Sequence, residues 1–242
     1  MSSYRLFASD PYVAILDSSD VNLGYVGPLE PATLVITLPD PDKVEVLSKK
    51  PASYGQAVAS YSKPKPAEIE IAFNEMPVAI LAWAMLGTTA AYSQASGTDQ
   101  SLSFTSRHDK WVYVGKHNLS AFTISGKSAV TDFTIDLVNG LCKVLSTGTI
   151  ADATTTSATA SYPAKAGSTI SAGTSTILNL GLKSYVTNLF DNSKGFLIIP
   201  KLSVTPSGAF DFAGDTPVEG RFKGTILKLT GQDLFSFTEL TS

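Results

Sequence analysis

A single cysteine, two histidines and a charged fraction of only 16% are what this 242-residue chain has least of, and each scarcity removes a class of function. One cysteine, Cys142, rules out a disulfide framework within the chain and supplies no CxxC pair. His108 and His117 have no cysteine beside them, so neither a metal site nor a cofactor is expected. A basic excess is missing too: 18 Lys and Arg against 21 Asp and Glu leave a net charge of −3, the wrong sign for gripping nucleic-acid phosphates. The longest apolar run, Met76 to Leu86, is about half of the ~20 residues that a bilayer-spanning helix needs, so no membrane anchoring is expected. Arg5, Asp10, Asp17 and Asp20 interrupt the first twenty residues, which argues against a secretory signal. Disorder is excluded from the other side, because 43% of the residues are hydrophobic and 10% aromatic.

What is present is β-forming. Thr33 to Leu38 and Lys43 to Leu47 are β-branched runs separated by Pro39-Asp40-Pro41-Asp42, which fits strand, turn and strand. Residues 48–66, SKKPASYGQAVASYSKPKP, combine prolines and lysines without a hydrophobic period and read as a long, exposed, mobile loop. In Ala67 to Phe73, Ile69, Ile71 and Phe73 alternate with Glu68 and Glu70, giving a strand with one dry and one wet face. Asn74 as cap, Glu75 in the first turn, Pro77 and a terminal Gly87 predict a helix over 75–86. Val78, Ile80, Leu81, Trp83, Met85 and Leu86 leave that helix no wet stripe, so it must be covered on most sides. No Lys or Arg occurs between Lys65 and Arg107, which makes this block locally acidic.

Residues 107–164 read as an inserted β-hairpin module with little core of its own. Phe133, Ile135 and Leu137 alternate with Asp132, Thr134 and Asp136. Asn139-Gly140 then offers the two positive φ angles of a tight turn, and Leu141 to Leu145 returns with Cys142 as a small buried hydrophobe. Thr154 to Tyr162 is a further, polar strand. After about Gly167, strands are predicted at Thr176 to Leu182, Gly195 to Ile199, Lys201 to Thr205 and Val218 to Leu229, with Gly220 and Gly224 where something packs closely. The expected fold is mainly β, a β-sandwich or partial barrel with one packed α-helix and a β-hairpin insertion: 1–106 as its first part, 107–164 as the insertion, 165–242 as the completing strands.

Enzyme signatures fail their spacing, and no enzyme is expected. Gly126-Lys127-Ser128 lacks the glycine that a phosphate loop requires five residues earlier, where Ala121 stands. No GxSxG elbow occurs. The carboxylate pairs Glu68/Glu70 and Asp132/Asp136 follow the ordinary alternation of half-exposed strands rather than a glycosidase pair. Asn118-Leu119-Ser120 matches a glycosylation sequon but lacks the secretory context to use it.

Three stretches carry a family resemblance. Ser53 to Thr98, SYGQAVASYSKPKPAEIEIAFNEMPVAILAWAMLGTTAAYSQASGT, resembles the signature of the tail tube (major tail) proteins of long-tailed bacteriophages: a YGQ loop, a lysine-proline step into a strand, an acidic cap and an apolar helix closed by glycine. Asp132 to Ile150 resembles a hairpin of the same proteins, and Ile199 to Lys228 their terminal strands; together they cover about half of the chain in order. The resemblance implies a subunit that assembles into hexameric rings, made in the host cytoplasm and located in the virion tail. The rings stack on themselves as a conduit for genome ejection and meet tape-measure, baseplate or tail-tip, and tail-terminator proteins, while DNA passes without specific binding. On that reading Lys49, Lys50, Tyr54, Gln56, Tyr61, Lys63 and Lys65 belong to an inter-ring stacking loop, and Ile80, Leu81, Trp83 and Met85 to a subunit-interface helix. Glu68 and Glu70 would face the lumen, where negative charge repels phosphates. The alternative is a β-sandwich binding module, a virion decoration or receptor-binding protein or an adhesin domain, with Trp111 and Tyr113 as an exposed patch; core packing under the hairpin is the other place for those rings.

Overall fold

Period-two alternation sets most of this backbone. A computed structural model of the chain describes residues 4–240, which are mainly β, in antiparallel sheets, with one α-helix among them. No helix among the described residues is long and apolar enough to cross a membrane. The chain divides into two units, one formed up to Thr89 and again from Ile170, the other by Ala90–Thr169.

The first unit holds an eight-stranded sheet. Its path runs β2 (Asn22–Val26), β1 (Phe7–Leu16), β15 (Leu178–Asn188), β16 (Lys194–Pro206), β17 (Gly220–Ile226), β6 (Glu68–Phe73) and β3 (Pro31–Thr37), and β18 (Ser236–Leu240) also joins β16. The two strands expected at 195–199 and 201–205 are one strand in which Pro200 is spanned by a register shift against β15. Because β16 is long, β18 pairs with its first half and β17 with its second. Ile69, Ile71, Phe73, Leu180, Leu182, Ile199, Leu202 and Phe222 turn to one face and form the core. Burying such side chains is worth about 1.5–3 kcal/mol each, which fixes the register against a one-residue slip.

Helix α1 (Val78–Ala84) lies on that core through Ile80, Trp83 and Ala84. It is shorter than the 75–86 expected. Asn74 does not cap it; Pro77 takes the N-cap position, and the Asn74 N–H is spent on the Glu30 carbonyl at 3.0 Å. At the other end Leu86, not Gly87, adopts the left-handed φ of 51°. Gly87 is required for space, since a Cβ there would lie 2.5 Å from the Ser171 carbonyl oxygen. Gly220 and Gly224 also mark close packing: a Cβ on Gly220 would meet Met76 Sδ at 2.8 Å, beneath the helix, and one on Gly224 the Ser203 carbonyl at 2.0 Å.

Residues 38–41 do not close a hairpin between the strands they separate. β3 pairs with β6, while β4 (Asp42–Leu47) pairs with β5 (Ala57–Lys63). The supposed loop 48–66 is therefore largely the tip and return strand of an ordered two-stranded arm. Its tip is built by Ser48, whose Oγ accepts the Lys50 N–H at 3.2 Å and bonds Ser53 Oγ at 2.7 Å, and by Gly55 at φ 82°. Serine side chains and a left-handed glycine supplied turn chemistry where apolar periodicity was lacking.

The second unit begins before and ends after the 107–164 module expected from the sequence, and it has a core of its own. Phe104, Val114, Phe122, Phe133, Cys142, Val144 and Ala160 are among the side chains that fill it. One sheet orders β10 (Ala121–Thr123), β13 (Thr155–Tyr162) and β8 (Gly97–Thr105); another orders β11 (Phe133–Asp136), β12 (Leu141–Val144) and β9 (Trp111–Tyr113). The alternating serines, threonines and alanines of β13 concealed this core, because Thr156, Ala158 and Ala160 are small yet buried. The β11–β12 turn is also longer than the two residues expected. Asp136 pairs with Leu141, and of Asn139 and Gly140 only Gly140 has a positive φ. The Asp136 carboxylate accepts the Asn139 backbone N–H at 3.0 Å and its side-chain amide at 2.7 Å, which stabilises the wider loop and lowers the pKa of Asp136. β7 (Thr88–Gln94) and β14 (Lys165–Ser171) pair with each other where the chain passes between the units.

Candidate functional site

Alternation along β4 and β5 places Val44, Val46, Ala59 and Tyr61 on one face of the arm, in the pairs Val44↔Tyr61 and Val46↔Ala59. Lys43, Glu45, Ser60 and Ser62 take the other face. Every residue of both strands is exposed, with Tyr61 at 60% and Tyr54 at the tip at 77%. Lys49, Lys50, Gln56, Lys63 and Lys65 are exposed as well. Lys65 pairs with Asp42 at 2.7 Å, whereas Lys43, Lys49, Lys50 and Lys63 have no ion pair among the described residues. A two-stranded hairpin with bare faces is marginal in water on its own.

Glu68 and Glu70 project from β6 on the face of the sheet opposite the core. The register sets Glu68 between Thr37 and Thr225, and Glu70 between Val35 and Lys223. Lys223 Nζ reaches Glu70 Oε2 at 3.2 Å, so the basic-free stretch of sequence is not basic-free in space. The proposed interface helix divides. Ile80 and Trp83 are buried against the chain's own sheet and are unavailable to a neighbour, a correction that follows from the core facing them; Leu81 and Met85 are half-buried.

In the second unit Trp111 and Tyr113 point outward, at 48% and 45% exposure, while Val112 between them turns toward the core. Lys143 Nζ stands 5.4 Å from the centre of the Trp111 ring, a cation–π contact, and His117 packs on Tyr113 with ring centres 4.8 Å apart. His108 Nε2 is engaged with the Ile150 carbonyl at 2.8 Å. Lys127 Nζ reaches Thr149 Oγ1 at 2.7 Å, so the Gly126-Lys127-Ser128 lysine braces a loop. Among the described residues no cluster of three or more His, Cys, Asp or Glu is placed to hold a metal ion.

One feature of the first unit gave no sequence signal. β3 has no partner on its outer edge, and β1 carries β2 only from Val13 onward. Between these edges lies a groove of about 830 Å³ whose lining includes Phe7, Leu34, Ile36, Val186, Leu197 and Phe237, with Asp10 and Glu30 exposed beside them. It escaped notice because its residues come from five strands spread along the chain and share no local pattern.

These features define a mainly β protein whose conspicuous sites are surfaces: a bare arm, an open sheet edge and an aromatic face. The chain belongs to the family described as protein of unknown function UCP028589, which matches residues 44–233. No curated protein matches it.

Proposed function

We propose that this chain is a structural subunit that assembles with copies of itself, a tail tube protein whose hexameric rings stack into a conduit for a phage genome. The observation that carries the reading is the arm. It is ordered, wholly exposed and apolar on one face, and it opens the Ser53 to Thr98 stretch that resembles those proteins. A β-sandwich or partial barrel closed by α1 would serve as the wall of such a ring. Pairing of neighbouring sheet edges would remove the open edges that otherwise invite uncontrolled aggregation. Tape-measure, tail-tip and terminator proteins are the further partners this role requires.

Glu68 and Glu70 remain the candidates for the lumen face, with Lys223 part of the same strip, so the repulsion of DNA would rest chiefly on Glu68. Negative-stain images of the purified chain at rising concentration test the assembly: hollow rings or tubes are expected, and isolated particles at every concentration would overturn it. For the lining, tubes of the Glu68→Lys, Glu70→Lys variant should retain duplex DNA at low salt where the unaltered tubes do not.

A second reading has one observation in its favour. Trp111 and Tyr113 are exposed instead of packed in the core, which suits a binding module. It predicts a protein that stays monomeric or trimeric and loses its ligand on Trp111→Ala with Tyr113→Ala.

A further inference from the structure

We infer that the groove between β1 and β3 is the receptor for the β4–β5 arm of a second copy of this chain. The inference rests on the self-assembly reading and adds the surface that the arm engages. Three properties of the two surfaces match. Both are incomplete: the arm has two bare faces, and the groove lies between the outer edge of β3, which has no partner strand, and the stretch of β1 before Val13 that β2 does not cover. Left open, such an edge is an aggregation hazard that a folded chain has to cover. Both are apolar in the middle: Val44, Val46 and Tyr61 on the arm, and Leu34, Ile36, Leu197 and Phe237 in the groove.

They are also opposite in charge. Asp10 and Glu30 at the groove have no ion pair among the described residues, and neither have Lys43, Lys49, Lys50 and Lys63 on the arm, against Glu45 alone. Within its own chain the arm is uncovered along both strands, so the occupant of this groove is another molecule's arm. Arm and groove are different surfaces of one chain, so the contact runs head to tail and each added copy presents a fresh arm or groove. A contact of that type propagates, as the stacking of identical rings requires.

Two measurements on the full chain test the assignment. In the first, protein carrying Val46→Cys is mixed with protein carrying Ala32→Cys, which lies at the groove, and oxidised mildly; the native Cys142 is buried and does not compete. A disulfide-linked dimer of the two variants is expected, and none when Val46→Cys is mixed with Lys183→Cys, on the opposite face of the sheet. In the second, Lys49→Glu with Lys50→Glu should raise the concentration needed for assembly by roughly tenfold or more, and Asp10→Lys with Glu30→Lys in the same chain should restore most of it. All four positions are exposed, so folding is spared. Rings or tubes that form without the Val46–Ala32 link and without charge rescue would overturn the groove assignment and leave self-assembly standing. Isolated particles at every concentration, with no link, would overturn both.

Discussion

Asp132 shows how one side chain can hold a loop system. Its Oδ2 accepts the Ser128 N–H at 2.9 Å, and its Oδ1 accepts the Thr149 N–H at 2.7 Å and the Thr149 hydroxyl at 2.8 Å. These bonds, led by the one from Ser128, favour the charged form and lower its pKa to about 2. A depressed carboxylate stabilises fully above the pKa of an unfolded aspartate, near ~3.9, and that contribution fades as pH falls toward about 2. Thermal scans of the native chain should therefore show the second unit losing stability across that window. Asp132→Asn, which sets an amide donor against the Ser128 or Thr149 N–H, should lower its melting temperature at neutral pH and flatten the acid slope. If the variant kept the native slope between those values, the loss would have to come from another carboxylate. Cys142 gives a complementary probe. Burial pushes its thiol up to about 12, so it should resist alkylation at pH 8 until the unit around it opens.

At the scale of elements, patterns that were strictly periodic were legible and those set by turn chemistry or by distant neighbours were not. β6, β11 and β17 follow from alternation in Glu68–Phe73, Phe133–Asp136 and Gly220–Ile226. β5 did not, because Ala57–Lys63 has few β-branched residues, and its partner β4 rather than its own composition makes it a strand. Helix α1 was legible as an element but not in its ends, where Pro77 and a left-handed Leu86 replaced Asn74 and Gly87. Of the candidate sites, the loop residues are contiguous in sequence and so could be named together, whereas the groove depends on edges brought together by the whole sheet. Ile80→Ala tests which side of α1 matters: with Ile80 fully buried on the sheet, the substitution should cost about 2–5 kcal/mol in urea unfolding. Val44→Thr with Tyr61→Thr on the exposed arm should leave that unfolding curve within about 0.5 kcal/mol and instead weaken assembly, read by sedimentation.

The whole molecule carries two cores that share no residue, one in each unit, and this has a consequence for how it unfolds. The second unit is the smaller and fills its core partly with small side chains such as Ala158 and Ala160, so that core removes less apolar surface from water. Multi-unit chains of this kind need not unfold in one step. The two tryptophans and the cysteine are distributed so that the question can be answered. Trp83 is buried in the first core, Trp111 is half-exposed in the second unit, and Cys142 is buried in the second core. Trp111→Phe leaves Trp83 as the sole tryptophan and a reporter of the first unit, while thiol labelling reports the second. With rising urea, Cys142 should become reactive at a concentration where the emission of Trp83 is still that of a buried ring. Coincident curves would instead mean that β7 and β14, through which the chain crosses, tie the two cores into one cooperative system.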